Sequence, residues 1–259
     1  MTFIDYHLFQ VPIMPLMSDD RTFYDRDGVL DAYLEHREWV DNPNATIERP
    51  TFYELAGDLS GLDIIDLGCG YGDFGLEALG AGTRSYSGVE ASQRMAERAR
   101  QTLAGTGAHV ELRRLEDWRH VGEPVDLVTA RLVLHYIEDL APVLNSVVAA
   151  LKTGGRFIFS VEHPVLTSCS KSLTKGRRDS WEVDDYFSEG PRTYPWLGQE
   201  VTKYHRTLET QLTLLQEAGL VFEALREGRP QVEHFSDPSE YERRERIPLF
   251  LTVKAKKPF

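Results

Sequence analysis

Short apolar runs alternate with segments of helical spacing along most of the chain. The most distinctive run covers positions 62–67 and ends in a loop that carries four glycines up to position 75. A short run of branched side chains closed by glycines predicts a buried strand, and positions 74–79 predict the helix that follows. Glycines allow positive φ and close approach of a ligand, and the first N–H groups of a helix favour a polar or anionic partner. The pattern therefore predicts a cradle for a nucleotide-like ligand.

Strand and helix patterns keep alternating after this cradle. Further strands are predicted over 84–89, 109–112, 124–130 and 156–161, and helices over 93–103, 140–152 and 205–218. Such alternation with short connections predicts parallel pairing and right-handed crossovers, and therefore a doubly wound α/β sheet. The last two strands, 220–225 and 249–255, are joined by a charged segment over 236–246 that is too short and polar for a packed crossover helix. We therefore expect these two strands to be antiparallel.

The N-terminal part of the chain precedes this alternation. Positions 24–39 and 49–58 predict two helices, so we divide the chain into an arm and helical cap (1–60) and a core domain (61–259). Positions 1–17 are mildly apolar but contain charged residues and no basic start, which favours a docking arm over a signal peptide. An apolar arm is also compatible with exchange between subunits, and hence with a homo-oligomer.

A long segment after the fifth predicted strand, about 164–204, shows no clear periodicity. It is rich in serine, proline, acidic and aromatic residues. A connection of this length inside a compact domain is usually functional, and its aromatic side chains predict an ordered lid over a pocket.

Composition and charge narrow the possible partners. The formal net charge of −12 opposes binding to a phosphate backbone, so no nucleic-acid partner is expected. Cys69 and Cys169 are too few for a disulfide framework or a multi-cysteine metal site, which suits a reducing cytosol and a cytoplasmic protein. No cluster has convincing metal-ligand spacing and no apolar run reaches the ~18 residues of a membrane span, so we predict neither a metal nor a membrane segment.

Two classes of nucleotide cofactor fit the glycine-rich loop. Gly70, Gly72 and Gly75 match the dinucleotide fingerprint, and Glu90 ends the second predicted strand, where a carboxylate binds a ribose diol. Three features favour S-adenosylmethionine instead. Asp66 precedes the loop, the cap is long, and the sheet ends in a predicted antiparallel pair rather than a second mononucleotide half.

The chain resembles the class I S-adenosylmethionine-dependent methyltransferases, in particular their bacterial small-molecule members. The resemblance extends over positions 24–257 and is carried by the segments IIDLGCGYG (64–72), GVEAS (88–92), LEDW (115–118), DLVTARLVLHYIED (126–139), LKTGGRFIFSVEHP (151–164), VDDYFSEGPR (183–192) and KYHRTL (203–208). It implies a Rossmann-like seven-stranded sheet with a reversed last strand, S-adenosylmethionine as cofactor and S-adenosylhomocysteine as product. These motifs are specific for the fold and the cofactor, and only weakly specific for the substrate.

The resemblance also implies roles for individual residues. Asp66, Gly68 and Gly70 would contact the methionine moiety. Glu90 would accept hydrogen bonds from both ribose hydroxyls, and Arg37, in a Tyr-x-x-x-Arg pattern, would pair with the cofactor carboxylate. The remaining residues assigned to the cofactor are Tyr33 in the cap, Cys69 in the loop, Ala91 and Met95 against the adenine, Glu116, Asp117 and Trp118 near its amino group, and the Ala130 backbone at the methionine ammonium.

Arg131 and His135 are the candidate catalytic residues. They follow the fourth predicted strand and are four positions apart, so on a helical turn they would share a face. A cation beside His135 would lower its pKa and keep the imidazole neutral, and hence able to accept a proton at neutral pH. The pair resembles that of aromatic C-methyltransferases of antibiotic biosynthesis, in which a phenol is deprotonated so that a ring carbon attacks.

Aromatic and histidine side chains near the lid are the candidate substrate-binding residues. His163 follows the fifth predicted strand, at the edge where ligands bind in open α/β sheets. A pocket rich in rings suits a flat aromatic acceptor or an organic cation. The full set is Tyr24, His36, His163, Trp181, Tyr186, Trp196 and His205.

Three functions remain open at this point. The preferred one is methylation of a small electron-rich aromatic acceptor, a phenol or an indole-like compound, on carbon or oxygen and in secondary metabolism. N-methylation of an amine instead predicts a dispensable Arg131 and an amine pocket built from Asp184, Asp185 and Tyr186. The third is a non-catalytic protein that binds S-adenosylmethionine as a structural ligand.

Overall fold

The computed structural model describes residues 22–169, 171 and 180–259. The predicted N-terminal arm, 1–17, lies outside these residues. A seven-stranded sheet forms the centre of the molecule. Its strands are β1 (Asp63–Leu67), β2 (Ser85–Glu90), β3 (His109–Leu112), β4 (Val125–Arg131), β5 (Leu151–Glu162), β8 (Val221–Arg226) and β9 (Phe250–Lys256). Their order across the sheet is β3-β2-β1-β4-β5-β9-β8.

The helices surround this sheet, and the first two of them belong to the cap. They are α1 (Val29–Glu38), α2 (Arg49–Ala56), α3 (Asp73–Gly80), α4 (Gln93–Thr102), α5 (Ala141–Ala150), α6 (Pro164–Thr167), α7 (Leu208–Glu217) and α8 (Pro238–Arg244). Strands β1 to β5 of the sheet pair in parallel, whereas β9 is antiparallel to both β5 and β8. The predicted Rossmann-like sheet with an antiparallel last strand is confirmed.

Alternating side chains of the strands divide the core into two apolar layers. Ile65 belongs to the layer that packs against α5 and α7, whereas its neighbour Ile64 belongs to the layer beneath α2, α3 and α4. Because successive strand residues point to opposite faces, this burial on both sides explains the nearly continuous apolar runs in the sequence. No helix in the described ranges combines the length and the hydrophobicity that crossing a bilayer requires.

Two parts of the chain differ from their predictions. The segment over 164–204 contains a hairpin of β6 (Gly190–Trp196) and β7 (Gln199–His205), whose two turn residues, Leu197 and Gly198, both have positive φ. That geometry matches the right-handed twist of a hairpin, but leucine is an unusual residue for it. The sequence therefore gives little indication of a turn here. The charged segment over 236–246 contains a short helix, α8, that was not predicted, but the two strands that it joins, β8 and β9, are antiparallel as predicted.

Candidate active site

A cavity of about 940 Å³ lies at the carboxyl edge of the parallel strands, under the cap, α8 and the β6–β7 hairpin. The glycine loop forms part of its wall, and Gly68, Gly70 and Gly72 have φ angles of 71°, 57° and 86°. A side chain is unfavourable in this left-handed region. At Gly68 a Cβ would also lie 2.5 Å from a methyl carbon of Val133. The glycines are therefore needed to shape the loop.

Asp66 lies at the base of the loop and is buried. Its carboxylate accepts hydrogen bonds from the Thr129 hydroxyl at 2.6 Å and the Tyr86 hydroxyl at 2.7 Å. Burial raises the pKa of Asp66 to about 6, although both hydrogen bonds favour the charged form. Asp66 therefore connects the end of β1 to β2 and β4 directly beneath the cavity.

Glu90 lies at the end of β2 and holds the loop in place. Its Oε2 accepts a hydrogen bond from the Gly70 N–H at 2.9 Å, and its Oε1 accepts one from the Ser92 N–H at 2.9 Å. Burial raises the pKa of Glu90 to about 7. The carboxylate is thus fixed between the glycine loop and the start of α4, and it still lines the cavity.

Asp25, in the cap, binds the start of α4. Its carboxylate accepts hydrogen bonds from the Ser92 hydroxyl at 2.7 Å, the Arg94 N–H at 3.0 Å and the Gln93 N–H at 3.3 Å. An acidic group satisfies the free N–H groups at a helix start. Sequence reasoning missed this contact, because nothing near Asp25 in the chain indicates that it meets a helix 67 residues later.

Arg37 of α1 lies on the cavity wall, next to the start of α3. Its Nη2 is 3.2 Å from Oδ2 of Asp73, which also accepts a hydrogen bond from the Tyr71 hydroxyl at 3.2 Å. Nε of Arg37 is buried and has no hydrogen-bond partner within the described part of the chain. A cationic donor with an unused N–H beside the glycine loop fits the carboxylate of an amino-acid moiety.

The structure places most of the other predicted cofactor residues on the cavity, but not all of them. Those on its wall are Tyr33, Cys69, Ala91, Met95 and Glu116. Trp118 is instead buried in the core, Asp117 is exposed, and Ala130 is fully buried, and none of these three side chains lines the cavity. Their predicted side-chain roles at the adenine are therefore not supported, whereas the prediction for Ala130 concerned only its backbone.

Arg131 does not form a helical pair with His135, so that expectation is wrong. Arg131 ends strand β4, and the next residue, Leu132, has a φ of 52°, which turns the chain before His135. The guanidinium instead makes a two-point ion pair with Glu48, at 3.1 Å from Nε and 2.5 Å from Nη2. Glu48 also accepts a hydrogen bond from the Ser160 hydroxyl at 2.7 Å. Arg131 thus joins the cap to β4 and β5.

We expect the Arg131→Met variant to lose about 3–5 kcal/mol of unfolding free energy. The Glu48 side chain is only 1% exposed, so removing its partner leaves a buried charge without a counter-ion. Chemical denaturation measures this loss. The exposed ion pair of Arg226 with Glu54 is the matched control, and Arg226→Met should cost less than about 1 kcal/mol. Equal losses for the two variants would contradict a structural role for the buried pair.

His135 lies in a short 3-10 turn after β4 and is 3% exposed. Burial lowers its pKa to about 3, because the opposing effect of Glu162 is weaker and Lys203 and Arg206 act in the same direction as burial. Its Nδ1 is buried without a hydrogen-bond partner among the described residues. The imidazole is therefore neutral at physiological pH, but burial is the main cause, and the cations that add to it are Lys203 and Arg206 rather than Arg131.

The β6–β7 hairpin brings two further functional residues to the cavity. Nζ of Lys203 is 2.5 Å from Oε1 of Glu162, and the Tyr194 hydroxyl donates to Oε2 of Glu162 at 2.9 Å. Burial alone would raise the pKa of Glu162, but Lys203, His135 and Tyr194 hold it at about 2. Sequence reasoning missed this ion pair. The segment that contains Lys203 shows no clear periodicity, so nothing in the sequence indicated that this lysine is buried.

The predicted substrate residues divide into two groups. Tyr24, His36 and Trp196 line the cavity, and their contact with substrate stays a prediction. His163, Trp181, Tyr186 and His205 do not line it, so the structure does not support their substrate role.

Three of these four residues instead support the lid segment. His163 accepts a hydrogen bond from the Val165 N–H at 3.2 Å, at the start of α6. His205 lies 2.8 Å from the Thr167 hydroxyl, and the Tyr186 hydroxyl accepts a hydrogen bond from a backbone N–H at 3.1 Å. The polar atoms of these three side chains bind other parts of the chain around the lid segment.

Comparison with known proteins defines the class of protein. A family model described as a methyltransferase domain matches residues 65–157. The structure is similar to that of an S-adenosylmethionine-dependent methyltransferase from Mesorhizobium loti, with 33% identity, a TM-score of 0.74, and coverage of 86% of this chain and 100% of that one. A second match, a putative enzyme of the same kind from Listeria monocytogenes, has 31% identity, a TM-score of 0.74, and coverage of 82% and 97%.

The chain therefore belongs to the S-adenosylmethionine-dependent methyltransferases. Among curated relatives, a ubiquinone biosynthesis O-methyltransferase from Thiobacillus denitrificans is 31% identical over 139 residues, which are 49% of this chain and 58% of that one. The cofactor is S-adenosylmethionine, which supplies an electrophilic methyl group on sulfur. The glycine loop, the carboxylate of Glu90 and the unused Nε of Arg37 fit its polar groups.

Proposed function

We propose that this protein methylates a small molecule that contains an aromatic ring and a hydroxyl group. The observation that carries the proposal is the neutral His135 beside an aromatic wall in the cavity that also contains the glycine loop. The rings of Tyr24, Tyr136, Tyr194 and Trp196 line this part of the cavity. Flat aromatic molecules pack favourably against such rings, in edge-on or offset arrangements.

The residues of the chain then have separate tasks in methyl transfer. Holding the acceptor atom against the methyl group in an enclosed site supplies much of the rate, about 7–11 kcal/mol in well-oriented systems. An acceptor hydroxyl must also lose its proton near the reaction step. His135 lines the cavity, so we assign the proton to its imidazole, which its low pKa makes a weak base in the cofactor-free protein. Glu162 would stabilise the imidazolium that forms, because its charge already raises the pKa of His135.

Loss of this proton activates two kinds of atom in a phenol. The negative charge is shared between the oxygen and the ring carbons, so either can attack the methyl group. Carbon methylation in antibiotic or other secondary metabolism is the finer proposal that the family resemblance suggests. The name of the Thiobacillus denitrificans relative favours oxygen methylation in a quinone pathway instead. We therefore propose hydroxylated aromatic acceptors as a class and treat carbon and oxygen as alternatives.

Methylation of an amine is the second candidate, and the structure offers it less support. That function predicted an amine pocket from Asp184, Asp185 and Tyr186. Both aspartates are exposed and none of the three residues lines the cavity. Asp184 instead pairs with Lys171 at 3.3 Å.

A labelled-cofactor assay tests the proposal. The protein is incubated with S-adenosylmethionine that carries a labelled methyl group and with a panel of phenols, quinols, indoles and amines. Transfer of the label to each compound is measured. We expect label in a hydroxylated aromatic product, whose position on carbon or oxygen follows from mass spectrometry. Transfer to amines alone would contradict the proposal. Cofactor binding without transfer to any compound in the panel would favour a non-catalytic role.

A further inference from the structure

An ammonium group of the chain itself lies inside an aromatic box in the cavity. Nζ of Lys203 is 5.4 Å from the ring centroid of Tyr136, 5.3 Å from that of Tyr194 and 5.7 Å from that of Trp196. We call these three rings the aromatic box. The Lys203 side chain is 5% exposed and pairs with the carboxylate of Glu162. Several rings and a carboxylate around a cation form the arrangement by which proteins recognise organic ammonium ions.

The rings of this box are also held by contacts that do not involve Lys203. The Tyr194 hydroxyl donates a hydrogen bond to Glu162 at 2.9 Å. The ring of Trp196 packs against His36, with centroids 5.2 Å apart. The Tyr136 hydroxyl lies 3.3 Å from that of Tyr24. The three rings should therefore keep their positions when the lysine side chain is removed.

The box is part of the cavity wall and not a separate pocket. All three rings, Lys203 and Glu162 line the same cavity as the glycine loop. The Glu162 side chain is 26% exposed, whereas that of Lys203 is 5% exposed. A space opened by removing the lysine would thus be continuous with the site in which the acceptor binds.

We propose that Lys203 determines the charge class of the acceptor, because its ammonium group occupies the aromatic box and excludes organic cations from it. The inference rests on the proposed function, in that it assumes an acceptor in this cavity. The negative charge of Glu162 is already compensated by Lys203, so at this box an amine substrate would find neither the three rings nor their carboxylate free. An uncharged aromatic acceptor needs neither. Lys203 is in this sense a specificity residue for hydroxylated aromatic compounds.

Binding of tetramethylammonium chloride to the Lys203→Ala variant tests this proposal without knowledge of the acceptor. We expect saturable binding in the millimolar range by isothermal titration calorimetry, against a sodium chloride blank, and no binding to the wild type. Lys203→Met is the matched control: its side chain is neutral but fills the box, so it should bind no tetramethylammonium. The double variant Glu162→Gln/Lys203→Ala should bind several-fold more weakly, because the counter-ion is gone. Retained binding of S-adenosylhomocysteine shows that each variant is folded.

Two results would overturn the proposal. One is a folded Lys203→Ala variant that binds no tetramethylammonium, and the other is a wild type that binds it equally well. If Lys203→Ala is unfolded, tetramethylammonium chloride should restore its near-ultraviolet circular dichroism where sodium chloride does not, and absence of this rescue also counts against the proposal. The outcome is independent of the labelled-cofactor assay. Transfer to phenols without a cation site in Lys203→Ala would remove this inference and leave the proposed function intact.

Discussion

Replacing Glu90 with alanine should weaken the binding of S-adenosylmethionine at least about 100-fold, equivalent to about 3 kcal/mol. Two effects add. Alanine cannot accept the hydrogen bonds from the N–H groups of Gly70 and Ser92, so the glycine loop and the start of α4 lose their common anchor. It also removes the carboxylate that we expect to accept the ribose hydroxyls, and hydrogen bonds to a charged acceptor contribute about 1.5–3 kcal/mol each. Calorimetric titration with the cofactor measures the change.

The matched control is the Glu97→Ala variant. Glu97 is an exposed glutamate on α4, the helix that starts beside Glu90. Its affinity for the cofactor should equal that of the wild type. Wild-type affinity in Glu90→Ala would show that the assignment of the ribose site is wrong.

The pH dependence of cofactor binding is a second readout of the same carboxylate. The pKa of Glu90 is raised to about 7, above its ordinary value of 4.5, so much of the cofactor-free protein carries a protonated Glu90 below pH 7. The ribose hydroxyls donate best to the ionised form. Cofactor binding should therefore release a proton, and the affinity should fall as the pH falls below 7, by up to about tenfold per pH unit. Glu90→Ala should lose this dependence.

The strands and the cradle could be predicted because their signals are local, whereas the class of cofactor also needed the long cap, the end of the sheet and the family resemblance. The apolar run before Asp66, the glycines after it and the acidic end of the next strand all act within one strand–helix–strand unit. Such a unit forms from its own hydrophobic pattern and turn chemistry, so the sequence is nearly sufficient to place Glu90 at the loop. The N–H of Gly70 and the carboxylate of Glu90 are separated by only 20 residues in the chain.

The ion pairs on the part of the cavity wall that we assign to the acceptor could not be predicted, because they join distant parts of the chain. Arg131 pairs with Glu48 across 83 residues, and Lys203 pairs with Glu162 across 41 residues. Which acid meets which base depends on how the cap and the hairpin pack on the sheet, and charge alone does not specify it. The prediction of an Arg131–His135 pair failed for this reason: it used helical spacing where the chain forms the end of a strand, a left-handed residue and a short turn.

Replacing His135 should lower turnover by about 100-fold to 1,000-fold on the hydroxylated aromatic acceptor that the labelled-cofactor assay identifies. The reason is that His135 is the neutral imidazole on the cavity wall that we assign to the acceptor proton. Two variants separate this role from packing. His135→Ala removes the ring, and His135→Gln keeps a hydrogen-bonding side chain that cannot take up a proton in this pH range. Both should lose kcat while the affinity for S-adenosylhomocysteine remains unchanged.

The control variant is His109→Ala, and it should retain wild-type turnover. His109 is an exposed histidine on β3. Because burial lowers the pKa of His135 to about 3, the imidazole is already neutral across the range from pH 5 to 9. The wild-type profile of kcat/KM should therefore show no loss of activity near pH 6.5 from this residue, as an exposed histidine base would give. If His135→Gln turns over at close to the wild-type rate, the proton leaves by another route, and His135 is a packing residue beneath the ring of Tyr136.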